Sequence, residues 1–287
     1  MRSCTGTNST VGLPDDIIIS FLTPGNKLAK AIEAASRYHA DLKANFHDFL
    51  ELDESEQVGK IQAGFTNFYD ISTVNPYVTL AAAGPWIITT KGAVIYDCGG
   101  YGMLGLGHAP EVVLTAMNQP HVMANVMTAN VSQMKFVARL KQEIGQKRGG
   151  SPFAKFLCLN SGSEANSVAA RIADINTKTM TDPGARYAGS RIAGITLAGS
   201  FHGRTARPAQ YSDSTLIKYR KYLASFRDDE YLLTVEPDDI SSLEKAYLDA
   251  EKDGTFIEAF FMEPVMGEGN PGRSISPAFY KRARELT

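Results

Sequence analysis

The chain has 287 residues, 44% hydrophobic and 21% charged, a balance that suits a globular protein with one large core or two modest ones. Lys and Arg number 29 against 31 Asp and Glu, and a formal charge of −2 argues against general affinity for nucleic acid or acidic membranes. Cys4, Cys98 and Cys158 lie too far apart for a disulfide framework or a CxxC metal pair, no apolar run has membrane-span length, and the N-terminus lacks a secretory h-region. A cytoplasmic protein is expected.

From Asn26 to Leu50 the apolar residues Leu28, Ile32, Ala35, Leu42, Phe46 and Phe49 recur at helical spacing, which predicts an amphipathic helix, followed by a second, weaker one. The stretch from Asn75 to Pro110 is rich in Pro, Gly and β-branched residues and predicts short strands and tight turns in a separate, irregular layer. Beyond it the pattern alternates. Helices are predicted near 110–119, 131–147, 163–180, 238–252 and 277–286, and strands near 154–159, 191–198, 231–235 and 256–262. Strands alternating with helices imply an α/β architecture, mainly a parallel sheet flanked by helices. In such a sheet, ligands bind beyond the carboxyl ends of the strands.

Three clusters fall at such ends. In "LNSGSEANSVAAR", Ser161 and Glu164 have the spacing of a capping box, while Gly162 and Ser163 would let an anion approach the free N–H groups of the first helical turn. The stretch is either a plain helix start or an anion seat. In "LAGSFHGRT", Phe201 can cover a planar ring and Arg204 can hold a carboxylate; the bland reading is a turn in which Phe201 plugs the core and Arg204 is solvated. In "AFFMEPVMGEG", Glu263 ends an apolar strand as either a loop residue or a site acid, and Glu268 follows in a glycine-flanked turn. Their shared edge is the reason to read the three together.

Competing motifs lack context. "GYGMLG", Gly100 to Gly105, matches G-x-G-x-x-G, but no helix follows at once, and no Asp or Glu stands between Glu111 and Glu143 to hold a ribose hydroxyl. No GxxxxGK[ST], G-x-S-x-G or H-E-x-x-H occurs, and His39, His47, His108 and His121 lack metal-ligand spacing, so no metal is expected.

"NSGSEAN", "FHGRT" and "EPVMGEG", in this order, together with "GAVIYDCGGYGMLGLGHAPEVV", resemble the class III aminotransferases among the fold type I pyridoxal phosphate enzymes. The resemblance runs from about Gly84 to the end. It implies a small-domain segment over 1–105 and a cofactor-binding large domain over 106–287, incomplete at its C-terminus. It also implies pyridoxal 5'-phosphate as cofactor, an amino donor and a 2-oxo acid as substrates, and a homodimer. Carried over to this sequence, Gly162 and Ser163 would bind the cofactor phosphate, Phe201 would stack on its ring with His202 beside it, and Glu263 would sit near the ring substituents. Arg204 would meet a substrate carboxylate, and Glu268 would pair with a substrate-recognising Arg. Met266 departs from the glutamine usual in "EPVQGEG".

The chemistry also requires a Lys that forms a Schiff base and a carboxylate that keeps the ring nitrogen protonated. In the family both lie downstream of "EPVQGEG", and none of Lys155, Lys178, Lys218, Lys221, Lys245 and Lys252 is placed to end a strand in a small-residue context. The chain is therefore expected to be truncated before those residues and inactive alone. The alternative from another class is a non-catalytic binding or assembly half that pairs with another chain.

Overall fold

The computed structural model describes residues 1–2, 6–66, 71–99, 105–122, 127–227 and 231–287. They form two compact units, Met1–Asn130 and Val131–Thr287. Of the G-x-G-x-x-G match, only Gly105 lies within the described residues, and Cys4 lies outside them.

The first unit opens with α1 (Asp15–Phe21), α2 (Lys27–Asn45), α3 (His47–Glu51) and α4 (Glu54–Gln62). The helix expected from Asn26 to Leu50 is thus two. Asn26 caps its start by accepting from Ala29 N at 2.9 Å, and it breaks at Phe46, where φ is −142° and ψ 41°. The break lets Leu50 turn inward to 2% exposure. Next come β1 (Thr79–Ala83), β2 (Trp86–Thr89) and β3 (Val94–Tyr96), an antiparallel meander in the layer where short strands were expected. Gly84 supplies the positive φ of 58° that the first turn needs. Leu28, Ala31 and Ala35 of α2 lie on one helical stripe and pack on Trp86, Ile88 and Val94 to form this unit's core. After β3, Gly84 and His108 exchange backbone hydrogen bonds of 2.8 and 2.7 Å. A Cβ on Gly107 would stand 2.8 Å from the Gly84 backbone, so the Gly-His pair reflects a close backbone crossing. α5 (Glu111–Met117) follows.

The second unit comprises α6 (Val131–Gly145), α7 (Gly162–Thr181), β4 (Arg191–Leu197), α8 (Ala206–Gln210), α9 (Asp213–Tyr222), β5 (Leu232–Val235), α10 (Ile240–Lys252), β6 (Thr255–Phe261) and α11 (Pro277–Leu286). The sheet order is β5-β4-β6, parallel throughout. Residues 193–197 of β4 are all buried, as a central parallel strand requires. Ile195 and Leu197 point into a core with Leu243 of α10 and Phe279 and Ala283 of α11. Thr196, on the opposite face, meets the loop that follows β4.

One predicted element is absent. Residues 154–159 form no strand, and five of the six are exposed. Apolar composition alone makes no strand, because its N–H and C=O groups need a neighbouring strand, and no described strand pairs with this segment. The short helices α8 and α9 carry too little periodicity to have been read from sequence. No helix among the described residues is long and apolar enough to cross a membrane.

Candidate functional site

α7 begins with a complete capping box. Ser161 Oγ accepts from Glu164 N at 3.2 Å, and Glu164 Oε2 accepts from Ser161 N at 3.0 Å and Asn160 N at 2.8 Å. The Glu164 carboxylate is thereby turned back onto residues 160 and 161. Gly162 and Ser163 are the first two residues of this 20-residue helix, so their N–H groups have no intrahelical acceptor and stand at the positive end of its dipole. Nothing lies within 4 Å of where a Cβ on Gly162 would be. The cap therefore uses Ser161 and Glu164 and leaves the first-turn N–H groups of Gly162 and Ser163 open.

The loop after β4 folds against this helix end. Arg204 N donates to Ser163 Oγ at 3.3 Å, which leaves the Ser163 hydroxyl proton for another acceptor. Asn166 Nδ2 donates to the His202 carbonyl at 2.6 Å, and Ser167 Oγ lies 3.0 Å from Thr205 Oγ1. Asn166 and Ser167 were missed from sequence. The signal was there: positions 163, 166 and 167 make one polar stripe on a helix face.

The loop after β6 joins the same cluster through Glu263. Its Oε2 accepts from Phe201 N and its Oε1 from Gly267 N, both at 2.8 Å, so one half-buried carboxylate clips two loops together. His202 is 6% exposed, with Nε2 3.1 Å from Thr196 Oγ1 and its N–H donating to Ser212 Oγ at 2.9 Å. Burial pulls its pKa below the usual histidine value and outweighs the opposing pull of Glu263 and the Phe261 backbone. The ring is thus a neutral support beneath the loop. Phe201 is half-buried, and the Arg204 guanidinium lies 5.2 Å from its ring centroid. Arg204 Nη2 also reaches both Glu268 carboxylate oxygens at 3.2 Å. Within this chain, Glu268 is paired with Arg204.

Met266 is not a site residue here. It is 2% exposed and packs with Ile195, Leu197 and Phe279, so a thioether fills core space at this position. Among the second unit's lysines, Lys178 pairs with Asp182 at 2.5 Å and Lys245 with Asp249 at 2.7 Å, both on helix surfaces. Lys155, Lys218, Lys221 and Lys252 are exposed as well.

The sequence pattern of the family described as Aminotransferase class-III matches residues 69–287. The chain belongs to the class III aminotransferases. Its fold is that of the fold type I pyridoxal phosphate transferases, and pyridoxal phosphate is the cofactor of this family. Among solved structures it is similar to an ornithine aminotransferase from Toxoplasma gondii, at 22% identity and a TM-score of 0.61, covering 85% of this chain and 53% of that one. It is also similar to an aminotransferase from Bacillus anthracis, at 19% identity and a TM-score of 0.59, covering 80% and 52%. A third is the acetylornithine aminotransferase from Elizabethkingia anophelis, at 20% identity and a TM-score of 0.51, covering 82% and 50%. The chain spans about half the length of these structures.

The residues of this class III chain fit a phosphorylated, planar cofactor. The open N-terminus of α7, with the Ser163 hydroxyl proton beside it, suits a phosphate, and the half-buried Phe201 offers an aromatic face on the same edge.

Proposed function

We propose that this chain carries the cofactor-phosphate side of a class III aminotransferase site that moves an amino group from an amino acid or terminal amine to a 2-oxo acid. Gly162 and Ser163 bind the phosphate, Phe201 packs on the ring, His202 supports that loop, and Glu263 holds Phe201 in place. Arg204 meets a substrate carboxylate, and Glu268 competes with that carboxylate for the guanidinium. The observation that carries this reading is one hydrogen-bonded set at the ends of β4 and β6, Ser163 to Arg204 and Phe201 to Glu263, facing the start of α7.

When bound, pyridoxal phosphate supplies an aldehyde that condenses with amines and a ring that withdraws electrons. The lysines of the second unit lie on helix surfaces or exposed segments, which supports the reading that this chain does not itself supply the Lys this chemistry needs. The chain alone binds cofactor without turnover. Residues 1–105 serve as a small-domain segment and 106–287 as part of the large domain, in a homodimer.

A second reading, an assembly half that pairs with another chain, is favoured by one feature. The outer edge of β6 carries no strand among the described residues and lines a groove of about 940 Å³ between α7 on one face and α10 and α11 on the other.

An absorption titration of the purified chain with pyridoxal phosphate, followed by borohydride reduction and peptide mapping, separates the readings. Phosphate-competable binding with no reduced lysyl adduct is the expected result. A visible adduct on one specific Lys overturns the inactive assignment, and no binding at all favours the assembly half.

A further inference from the structure

Beneath the cofactor-facing loop lies a buried charged cluster that neither the motifs nor the proposed roles use. Glu258 of β6 has a side chain only 1% exposed. Its Oε1 accepts from Arg207 Nη2 at 2.5 Å and from the Tyr211 hydroxyl at 2.7 Å, and the Thr177 hydroxyl of α7 lies 3.4 Å from its Oε2. The Tyr211 and Tyr231 hydroxyls touch, and the Arg207 guanidinium lies 5.2 Å from the Tyr231 ring centroid.

The backbone is shaped to admit this cluster. Ala193 pairs with Ile257 and Gly194 with Ala259, so Glu258 is the extra residue of a β-bulge and has no partner on β4. Gly194 leaves room for the rings: a Cβ there would run into Tyr211 and stand 3.0 Å from Tyr231 Cε1. The Tyr211 ring is also stacked 4.0 Å, centroid to centroid, from Phe261. Burying a carboxylate costs free energy unless it is paired, and here three side chains converge on it.

The cluster leads directly to the loop. The Tyr211 carbonyl accepts from Ser200 Oγ at 3.3 Å, and Ser200 Oγ is 2.6 Å from Thr196 Oγ1, the atom beside His202 Nε2. The next residue, Ser212, is fully buried; its Oγ accepts from His202 N at 2.9 Å and lies 3.0 Å from the Gly203 carbonyl. Residues 200–203 are therefore held from below by Tyr211 and Ser212, while Gly203 and Arg204 press on Ser163 from the other side.

We infer that Glu258, with Arg207 and Tyr211, forms a positioning anchor that sets the Phe201–Arg204 loop against the phosphate seat at Ser163. The inference rests on the cofactor reading proposed above. Glu258 touches no reacting atom; it acts through Tyr211, which keeps Ser212 under the loop. A seat of this kind works only if its donors are held to about 0.5 Å by the groups behind them.

Tyr211→Phe keeps the ring against Gly194 and Phe261 and removes the hydroxyl that donates to Glu258 and touches the Tyr231 hydroxyl. Two measurements on the full chain test the anchor: amide hydrogen exchange of the peptide covering 199–206, and the dissociation constant for pyridoxal phosphate. The expected result is about tenfold faster exchange in that peptide with α10 unchanged, and about tenfold weaker cofactor binding. Leu243→Val, a core control, should lower the melting temperature yet leave both values as in the wild type, which separates positioning from general loss of stability. Unchanged loop exchange in Tyr211→Phe overturns the anchor. Faster exchange with unchanged affinity overturns its link to the seat. Should the unaltered chain bind no cofactor, the function proposed above fails, while the anchor is still decided by the exchange data. If Tyr211→Phe does not fold, Glu258→Gln, isosteric and neutral, gives the same readout.

Discussion

Gly203 and Ser163 are in direct contact across 40 residues of chain: at a φ of 124°, a Cβ on Gly203 would stand 3.0 Å from both the Cα and the Cβ of Ser163 and would run into its Oγ. The contact joins the loop after β4 to the first turn of α7, and both the backbone angle and the space require glycine. Gly203→Ala should therefore destabilise the second unit by roughly 1–3 kcal/mol. A urea titration monitored by circular dichroism measures it, and a midpoint equal to wild type would contradict the packing.

Glu263 holds two backbone N–H groups with two oxygens. Glu263→Gln keeps one acceptor and turns an NH2 group toward the other donor. A loss of about 1–3 kcal/mol is expected from the same titration, because hydrogen bonds to a charged group are among the stronger ones.

His202 makes the stability pH-dependent. Its folded pKa lies below the ordinary value of 6.5, so on acidification the unfolded chain takes up a proton before the folded one does. Its contribution is fully present above about pH 6.5. It is lost as pH falls from there toward the depressed folded value. Unfolding midpoints measured from pH 7.5 down to 5.5 should fall for the wild-type chain and fall less for His202→Gln.

Glu268 and Arg204 form a partly exposed pair, with side chains 47% and 31% exposed. Glu268→Gln should shift stability by less than about 1 kcal/mol. Thermal unfolding checks this, and a larger shift would mean that the pair is structural and not free to exchange partners.

Phe279 is fully buried between α11 and the sheet, 6.3 Å from the Phe260 ring centroid. Phe279→Ala should cost about 3–5 kcal/mol, enough to expose the core of the second unit to dye binding at room temperature.

Much of the local architecture was legible because its causes are local. The capping box of Ser161 and Glu164, the stripe of Leu28 and Ala35, and the strand followed by a loop at Leu197 each depend on residues a few positions apart. The seven candidate residues were picked in the same local way, as clusters at predicted strand ends, although no described strand precedes Gly162 and Ser163. Their wiring was not legible. That Glu263 serves as a clip, that Glu268 meets Arg204, and that Met266 fills core space all depend on partners tens of residues away.

The segment 154–159 shows the boundary most clearly. Its apolar side chains are a property of the sequence, but a strand is a property of a pair, and no described strand lies beside it. Glu258 shows the converse: an acid inside an apolar run has no sequence-level explanation until a bulge against β4 brings it to Arg207 and Tyr211. The sequence by itself determined most of the longer helices, most strands, the family and the edge on which its motifs gather, because periodicity, capping and motif spacing act over short distances. Only the tertiary structure decided which buried charge meets which partner and which loop rests on which, because those energies exist only once distant segments share a desolvated space.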